Sequence, residues 1–419
     1  MAIINPTGAY IISAVRTPVG AFSGSLSKLT AVDLGAIALK GALEKANLPA
    51  ESVEAIFLGN VVSANLGQNP ARQVALNAGC DKNKVIATNI NKVCASGMKA
   101  LMLAAQEIKL GESDIVAVVG AESMSNIPYY SPTLRAGAKF GNQSVVDGIV
   151  KDGLEDAYNK QLMGYAAEKC AADHNITREQ QDQFAISSYT KAIDAAGAGK
   201  FNDEIVGVPI TTKRGGVSKT DLILKDEEIM KFDSQRLVSL RPAFPDKSGS
   251  GTVTAGNASS LSDGAAAIIL VSGKQLSKLI EKSSPNSINA YYVAAAADAE
   301  QEPVDFTTTP AHAIRKALSK VEGIDFNPES SKVQEFVEYT ELNEAFSVVG
   351  VANTQLLELD PERVNINGGA VALGHPLGCS GARIIVALCT ILKQQNAKRG
   401  VAAVCNGGGG ASAVVIEKV

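Results

Sequence analysis

A chain of 419 residues, 46% hydrophobic and 20% charged, has the composition of an ordinary globular protein with room for roughly two to four domain-sized cores. Its formal charge of -4 gives no basic field for nucleic acid, and apolar runs such as Ala265 to Val271 fall short of the roughly 20 residues that span a bilayer, so neither nucleic acid nor membrane is expected as a partner. Six cysteines with no CxxC pair suit free thiols in a reducing compartment; without a secretory or transit pattern in residues 1 to 20, or a final SKL, the expected location is cytoplasmic.

Along the chain, Ala9 to Val15 (AYIISAV) reads as a strand, Thr30 to Ala46 as a helix and Glu54 to Val62 as a strand. This alternation marks βαβ units, an α/β fold and a mostly parallel sheet. A strand pattern, VIATNI, leads into NKVCASGMKALMLAAQEIKL, where Met98, Leu101, Met102 and Ala105 recur at helical spacing and Gly111 is a stop. A thiol at that amino end faces unpaired N–H groups and the positive end of the helix dipole, which lower a cysteine pKa. Cys94 is therefore a candidate nucleophile, with a small core cysteine as the alternative. Ser123 to Ser262 is turn-rich and charged, with TTKRGGVSKTD and a helical piece at Gln180 to Ala196. It reads as an excursion that covers a site, or as a solvated insertion.

The segment beginning at Cys94 returns at Gly378: each has Ser-Gly followed one residue later by Lys or Arg, then an apolar helix, then a strand ending in small residues. FLGN, ending at Asn60, and TELN, ending at Asn343, repeat at an offset that agrees to within one residue. Two similar α/β halves are expected. Residues 1–122 and 263–284 form the N-terminal half, 123–262 the inserted loop domain, and 285–419 the C-terminal half.

Of the histidines, His174 lies at a polar helix boundary and His312 at a helix start, and both read as structural. His375 sits in the glycine-rich run NINGGAVALGHPLGCSGAR, at the mouth of the second half's counterpart of the Cys94 helix; glycine there permits close backbone approach. A satisfied structural histidine is the alternative. His375 and Cys379 are spaced like a metal pair, but Pro376 interrupts the helix and two ligands make no zinc site. Cys405 closes VAAVC and opens NGGGGAS, whose N–H groups can form an anion-binding concavity. Its repeat counterpart is Ala121, so the thiol is not demanded by the architecture. No GxSxG, P-loop or GxGxxG occurs, which leaves serine hydrolysis, nucleotide hydrolysis and NAD chemistry without support.

VRTPVG, NKVCASGMKA, GTVTAGNAS, LNEAF, NINGGAVALGHPLGCSGAR and CNGGGGAS, in that order across essentially the whole chain, resemble the thiolase family, in particular its biosynthetic acetoacetyl-CoA branch. The resemblance implies a layered α/β/α/β/α thiolase fold, a homo-oligomer with a tetramer expected, and reversible condensation of two acetyl-CoA to acetoacetyl-CoA and CoA at the head of a mevalonate or sterol route. Coenzyme A thioesters are the implied substrates, and the chemistry requires no cofactor. It further implies that Cys94 carries the acetyl group, His375 takes the thiol proton and Cys405 is the acid/base at the α-carbon. Asn343 would hold a water that forms one oxyanion hole with His375; the N–H groups of Cys94 and Gly407 form the other.

By the same resemblance, Leu154, Met163, Tyr189, Phe244, Ser259 and Phe346 belong to the pantetheine and acyl site, with Lys231 and Arg236 near the nucleotide end. Tyr189, Ala255, Gly256, Ala258 and Val371 resemble a potassium site found in some members. Short-chain members often carry a histidine before the methionine of QLMG, where this chain has Leu162. The alternatives are a degradative 3-ketoacyl-CoA thiolase, from which Met163 and NEAF point away, a ketoacyl synthase, which normally uses further histidines, and an inactive acyl-CoA-binding scaffold.

Overall fold

Thr30 and Asp33 open the first long helix with a reciprocal cap. The Thr30 hydroxyl accepts from Asp33 N–H at 3.2 Å and the Asp33 carboxylate accepts from Thr30 N–H at 2.9 Å, so two N–H groups that the helix leaves unpaired are satisfied. Asn47, left-handed at φ 52°, ends it. The computed structural model describes residues 4–214, 217–282 and 288–419. The boundary expected between 284 and 285, residues 1–3, and Gly215 and Gly216 of TTKRGGVSKTD lie outside the described residues.

The chain begins with β1 (Ala9–Arg16), β2 (Gly20–Ala21), α1 (Ala31–Ala46), β3 (Ala55–Gly59), α2 (Pro70–Asn77), β4 (Ile86–Ile90), α3 (Ser96–Leu110) and β5 (Ile115–Ser123). It continues through β6 (Tyr129–Tyr130), β7 (Val146–Asp147), α4 (Met163–Asp173), α5 (Arg178–Gly197), β8 (Val208–Arg214), β9 (Val217–Ile223) and α6 (Ser234–Val238). Then come β10 (Ser262–Ser272), α7 (Gly273–Lys282), β11 (Tyr291–Glu300), α8 (Thr309–Leu318), β12 (Tyr339–Leu342), α9 (Ser347–Leu356), α10 (Ala370–Leu373), α11 (Leu377–Gln394), β13 (Arg399–Asn406) and β14 (Gly410–Lys418).

Among the described residues the large sheet runs β12-β13-β14-β11-β1-β10-β5-β3-β4, with β2 beside β10. Its two halves meet only where Tyr10 and Ile11 of β1 pair with Tyr292 and Tyr291 of β11. The expectation of a mostly parallel sheet is corrected. β3 is parallel to β4 and β5, and β12 to β13, but β1/β10, β10/β5, β11/β14 and β13/β14 are antiparallel. Alternation of strands and helices indicates βαβ units without revealing strands that return from the far side of a long excursion or through a tight hairpin.

Helices α1 and α2 pack on the outer face of the first half through Leu34, Leu39 and Val74 against Ile56, Val119 and Ile269. Helix α8 covers the second half's outer face through Ile314 and Leu318. Between the two halves lie α3 and α11, whose Met98, Leu101, Ile384 and Leu388 share one core with Val118, Ile268, Leu270, Val414 and Ile416. Ile268 and Leu270 thus face inward while Ile269 and Val271 face outward, which explains the unbroken apolar run of β10. Helix α11 has the length and hydropathy of a membrane span, 18 residues, yet Leu377 to Leu392 are all buried within the protein. The excursion after β5 is fastened to β1 by Arg16, which pairs with Glu204 at 2.7 Å and Asp226 at 2.7 Å out of contact with solvent.

Candidate active site

Two helix starts meet at the centre. A Cβ on Gly97 would sit 2.8 Å from both Ala382 N and Gly378 O, and one on Gly381 would sit 2.5 Å from Met98 N. The first turn of α3 therefore lies directly against the first turn of α11, and only glycine allows this approach. The chain enters α3 through a tight turn in which Asn91 Oδ1 accepts from Val93 N–H at 3.0 Å, while Ser96 Oγ accepts from Lys92 N–H at 2.8 Å and donates to Val93 O at 2.6 Å. Val93 has a φ of 46°, which puts a β-branched residue in the left-handed region. Cys94 follows it.

Cys94 opens into a cavity of about 300 Å³, shared with Leu154, Met163, Phe244, Ser259, Phe346, His375 and Gly407. Its lining is almost wholly apolar and of a size that suits an acyl group at the end of a slender arm. Ser259 contributes shape more than hydrogen bonding, because its hydroxyl donates to Ala345 O at 2.8 Å. Ala258 and Leu162 also line the cavity.

The lowered pKa expected for Cys94 is corrected. Burial pushes the thiol up to about 12, although the backbone N–H groups of Gly407 and of Cys94 itself act at the sulfur and pull the other way. The helix terminus is overridden because the excursion, through Leu154, Met163 and Phe244, and the second half, through Phe346, His375 and Gly407, close over the turn and remove water. Cys94 is therefore a neutral thiol at rest and needs a base to react.

His375 supplies a suitable group. Burial, and then the positive charge of Arg383, hold the imidazole down at about 3, so it is neutral in the ordinary pH range. Its Nδ1 lies 2.5 Å from Ser380 Oγ, and its Nε2 has no partner among the described residues. Cys405 is fully buried in the cluster containing Met163, Phe244, Ala258 and Phe346; burial, and then the proximity of Cys94, push its thiol well above the usual value. Asn343 is buried, and neither side-chain polar atom has a partner among the described residues. Its backbone is anchored to Ala403 O at 2.9 Å, two residues before Ala345 of the cavity wall. An uncommitted buried amide of this kind can hold a water.

The remaining expected residues fall elsewhere. Tyr189 lies outside the cavity, stacked on Phe232 at 4.7 Å and packed with Leu237 and Val371. Lys231 and Arg236 are exposed, and Lys231 pairs with Glu228 at 2.9 Å. Ala255, Gly256 and Val371 do not line the cavity, and a Cβ on Gly256 would meet Leu237 at 2.9 Å. His312 is exposed and His174 half-buried. Cys379 is buried, and no cluster of potential metal ligands occurs among the described residues.

The comparisons agree with this architecture. The profile "Thiolase, N-terminal domain" matches residues 9–274 and "Thiolase, C-terminal domain" matches residues 287–418. The chain belongs to the thiolase family. It is 54% identical over 413 residues to the acetyl-CoA acetyltransferase of Schizosaccharomyces pombe, covering 99% of each chain. It is 51% identical to "Acetyl-CoA acetyltransferase ERG10, cytosolic" of Gibberella zeae, covering 98% of each. The crystal structure of the Acat5 thiolase from Ascaris suum in complex with coenzyme A superposes with a TM-score of 0.87 at 44% identity, covering 98% of this chain and 100% of that one.

Two polar residues of this thiolase escaped the sequence reading. Ser380, five residues after His375, was hidden inside a motif read for its histidine and cysteine. Glu122, one residue before the end of β5, is fully buried, and its carboxylate accepts from the N–H groups of Val61 at 2.9 Å and Gly378 at 2.9 Å and from Asn60 Nδ2 at 2.9 Å. It thus ties the start of α11, next to His375, to the first half. Its place near a strand end, one residue after the counterpart of Cys405, was the available signal.

Proposed function

We propose that this thiolase is an acetyl-CoA C-acetyltransferase that condenses two acetyl-CoA to acetoacetyl-CoA and CoA, reversibly, through an acetyl group carried on Cys94. The observation that carries this reading is the convergence of Cys94, His375 and Gly407 on one apolar cavity with Cys405 packed against its wall. The names of the relatives support the choice of acetyl substrate.

In the first half-reaction His375 Nε2 takes the Cys94 proton as the sulfur attacks the acetyl carbonyl. In this reading the oxyanion is taken up by the Cys94 and Gly407 N–H groups, which in the free protein act at the sulfur; a donor of this kind is worth about 10²–10³-fold. As the tetrahedral intermediate collapses, the Cys405 thiol protonates the departing CoA sulfur and is left as a thiolate. Because burial makes that thiol a weak acid, its thiolate is a strong base, which the weakly acidic methyl of a second acetyl-CoA needs; a positioned base contributes about 10²–10⁴-fold. The enolate oxygen is stabilised by the protonated His375 and a water on Asn343. Its carbon attacks the acetyl group, the Cys94 thiolate leaves and His375 returns the proton.

Leu154, Met163, Phe244, Ser259 and Phe346 enclose the pantetheine end and acyl group in this reading, with Lys231 and Arg236 exposed for the nucleotide phosphates. The loop domain 123–262 supplies most of these contacts. Tyr189 and the carbonyls of Ala255, Gly256, Ala258 and Val371 are the proposed holders of a potassium ion. Burial pushes the Tyr189 phenol up to about 12, followed by the negative fields of Glu228 and Glu344, a surround that suits an alkali cation. The ion would act electrostatically, steadying α10 ahead of His375.

A homotetramer is proposed on the resemblance and on the exposed Tyr129, Leu134, Phe140 and Val145, which light scattering would test. A cytoplasmic location and a role in the first condensation of a mevalonate route rest on the resemblance and on the name of the Gibberella zeae relative. Incubation with labelled acetyl-CoA is expected to leave one acetyl group per chain on Cys94, and Cys405→Ala to acquire that label more slowly while losing condensation. A wild-type protein that takes no label at Cys94 would sink the reading.

A further inference from the structure

The strained turn before Cys94 is held by charged contacts that come from the other half of the chain. Lys92, two residues before the nucleophile, extends its ammonium to Asp298 Oδ1 at 2.8 Å, Ser412 Oγ at 3.1 Å and Ala411 O at 3.2 Å. Glu300 lies 3.4 Å away. Lys99, in the first turn of α3, holds the other Asp298 oxygen at 2.7 Å, and the Ser412 hydroxyl donates to Asp298 Oδ1 at 2.6 Å. Asp298 is on β11 and Ser412 on β14, and Ala411 is the residue in register with Cys405 across the β13–β14 hairpin. A single ammonium therefore links the segment carrying Cys94 to the cross-strand neighbour of Cys405.

We propose that Lys92, Lys99 and Asp298 are positioning residues that fix Cys94 and Cys405 relative to each other across the junction of the two halves, an inference that rests on the roles proposed for those cysteines. None of the three lines the cavity. Burial opposes ionisation of Asp298, but Lys92, Lys99 and Ser412 hold its carboxyl at about 2, so this carboxylate stays ionised throughout the neutral range.

Charge pairs that remain 20–30% exposed add little to global stability, since such pairs are screened by water. The separate core formed by α3, α11 and both sheets holds the halves together. Carbon–carbon bond formation is more demanding, because the enolate made beside Cys405 must reach the acetyl group on Cys94, and a displacement of about 1 Å from attack geometry lowers a rate about 10²-fold. The clamp therefore acts on the transfer between the two sulfurs rather than on folding or on substrate affinity.

Asp298→Asn and Lys92→Met in the full chain test this, with Lys99→Met as a milder variant that keeps the Lys92 contacts. The expected result is a fall in kcat for acetoacetyl-CoA thiolysis of about 10- to 100-fold with KM changed less than about threefold. Acetyl labelling of Cys94 should persist, the unfolding temperature should hold within a few degrees, and Lys92→Arg should recover part of the rate. A kcat within about twofold of wild type, or a loss explained wholly by KM or by unfolding, would overturn the proposal.

A wild-type chain without thiolysis or Cys94 labelling would instead defeat the functional reading. The clamp remains testable in that case through the ratio of iodoacetamide alkylation at Cys94 and Cys405, read by peptide mass spectrometry. That ratio must change in Asp298→Asn and Lys92→Met; if it does not, the clamp is overturned.

Discussion

The Ser380 hydroxyl sits 2.5 Å from His375 Nδ1 and donates to Pro376 O at 3.0 Å. A hydroxyl has one proton, so donation to the carbonyl makes Nδ1 the protonated nitrogen and leaves the Nε2 lone pair to accept the Cys94 proton. Ser380→Ala removes the group that fixes the ring and its tautomer. We expect kcat to fall about 10- to 100-fold with KM little changed, and Cys94 acetylation to slow by a similar factor in a rapid-quench measurement. Full activity in Ser380→Ala would show that the ring is oriented by packing alone.

Acid should destabilise this protein through the same histidine. The His375 pKa is depressed from 6.5 to about 3. Its stabilising contribution is therefore complete above the unfolded value and is lost as pH falls through the folded one. By pH 4.5 the loss is about 2.7 kcal/mol, taking about 1.36 kcal/mol per pH unit below 6.5. Glu122 acts in the opposite sense. Burial raises it from 4.5 to about 7, so its contribution is present below 4.5 and declines as pH rises towards 7. Thermal unfolding of wild type and His375→Gln at pH 7 and 4.5 should show a markedly smaller acid shift in the variant, and Glu122→Gln should flatten the curve between pH 5 and 7. Equal acid shifts in wild type and His375→Gln would exclude the histidine as the cause.

Much of the site was legible because its residues announce themselves locally. Cys94 precedes a helix with a clear apolar stripe, His375 and Cys405 occur in glycine-rich turns, and the repeat pairs Gly378 with Cys94 and Asn343 with Asn60. Strand direction was not legible, because β10 joins the sheet after an excursion of well over a hundred residues and no local pattern says which way it runs. The Cys94 pKa was misread for a related reason: helix-terminus electrostatics is local, whereas the burial that overrides it comes from the cavity wall, with Leu154, Met163, Phe244 and Phe346, far away in sequence. The contacts of Glu122 and Asp298 cross between segments in the same manner, whereas those of Ser380 are local to its own turn and were hidden only by the histidine and cysteine beside it.

The crossing of α3 and α11 predicts a sharp steric response. Gly381→Ala would place a methyl 2.5 Å from Met98 N and 2.9 Å from Met98 Cβ, so backbone must move. Overpacking of this kind destabilises by about 1–3 kcal/mol, and more where backbone is the obstacle. The helices can separate only by drawing the Cys94 turn away from the His375 turn. We therefore expect a lower urea midpoint together with a kcat loss larger than the unfolded fraction explains. Wild-type stability in Gly381→Ala would contradict the close packing.

Met163 should govern which acyl groups are accepted. Its sulfur would lie 3.4 Å from a Cβ on Gly407, and it lines the cavity together with Leu162, Phe244 and Phe346. It therefore borders the space into which an acyl chain on Cys94 must extend. Adding a methyl to acetoacetyl-CoA at its second carbon requires extra room near this wall, and one methylene in a tight apolar pocket is worth about 10- to 200-fold in discrimination. Met163→Ala should raise kcat/KM for thiolysis of 2-methylacetoacetyl-CoA relative to acetoacetyl-CoA by about tenfold or more, while lowering the absolute rate with acetoacetyl-CoA through looser positioning. The comparison is made on the two substrates with the same enzyme preparation, so partial unfolding cancels from the ratio. An unchanged ratio would move the selecting wall from Met163 to Leu162 or Phe346, the other side chains that border the same space.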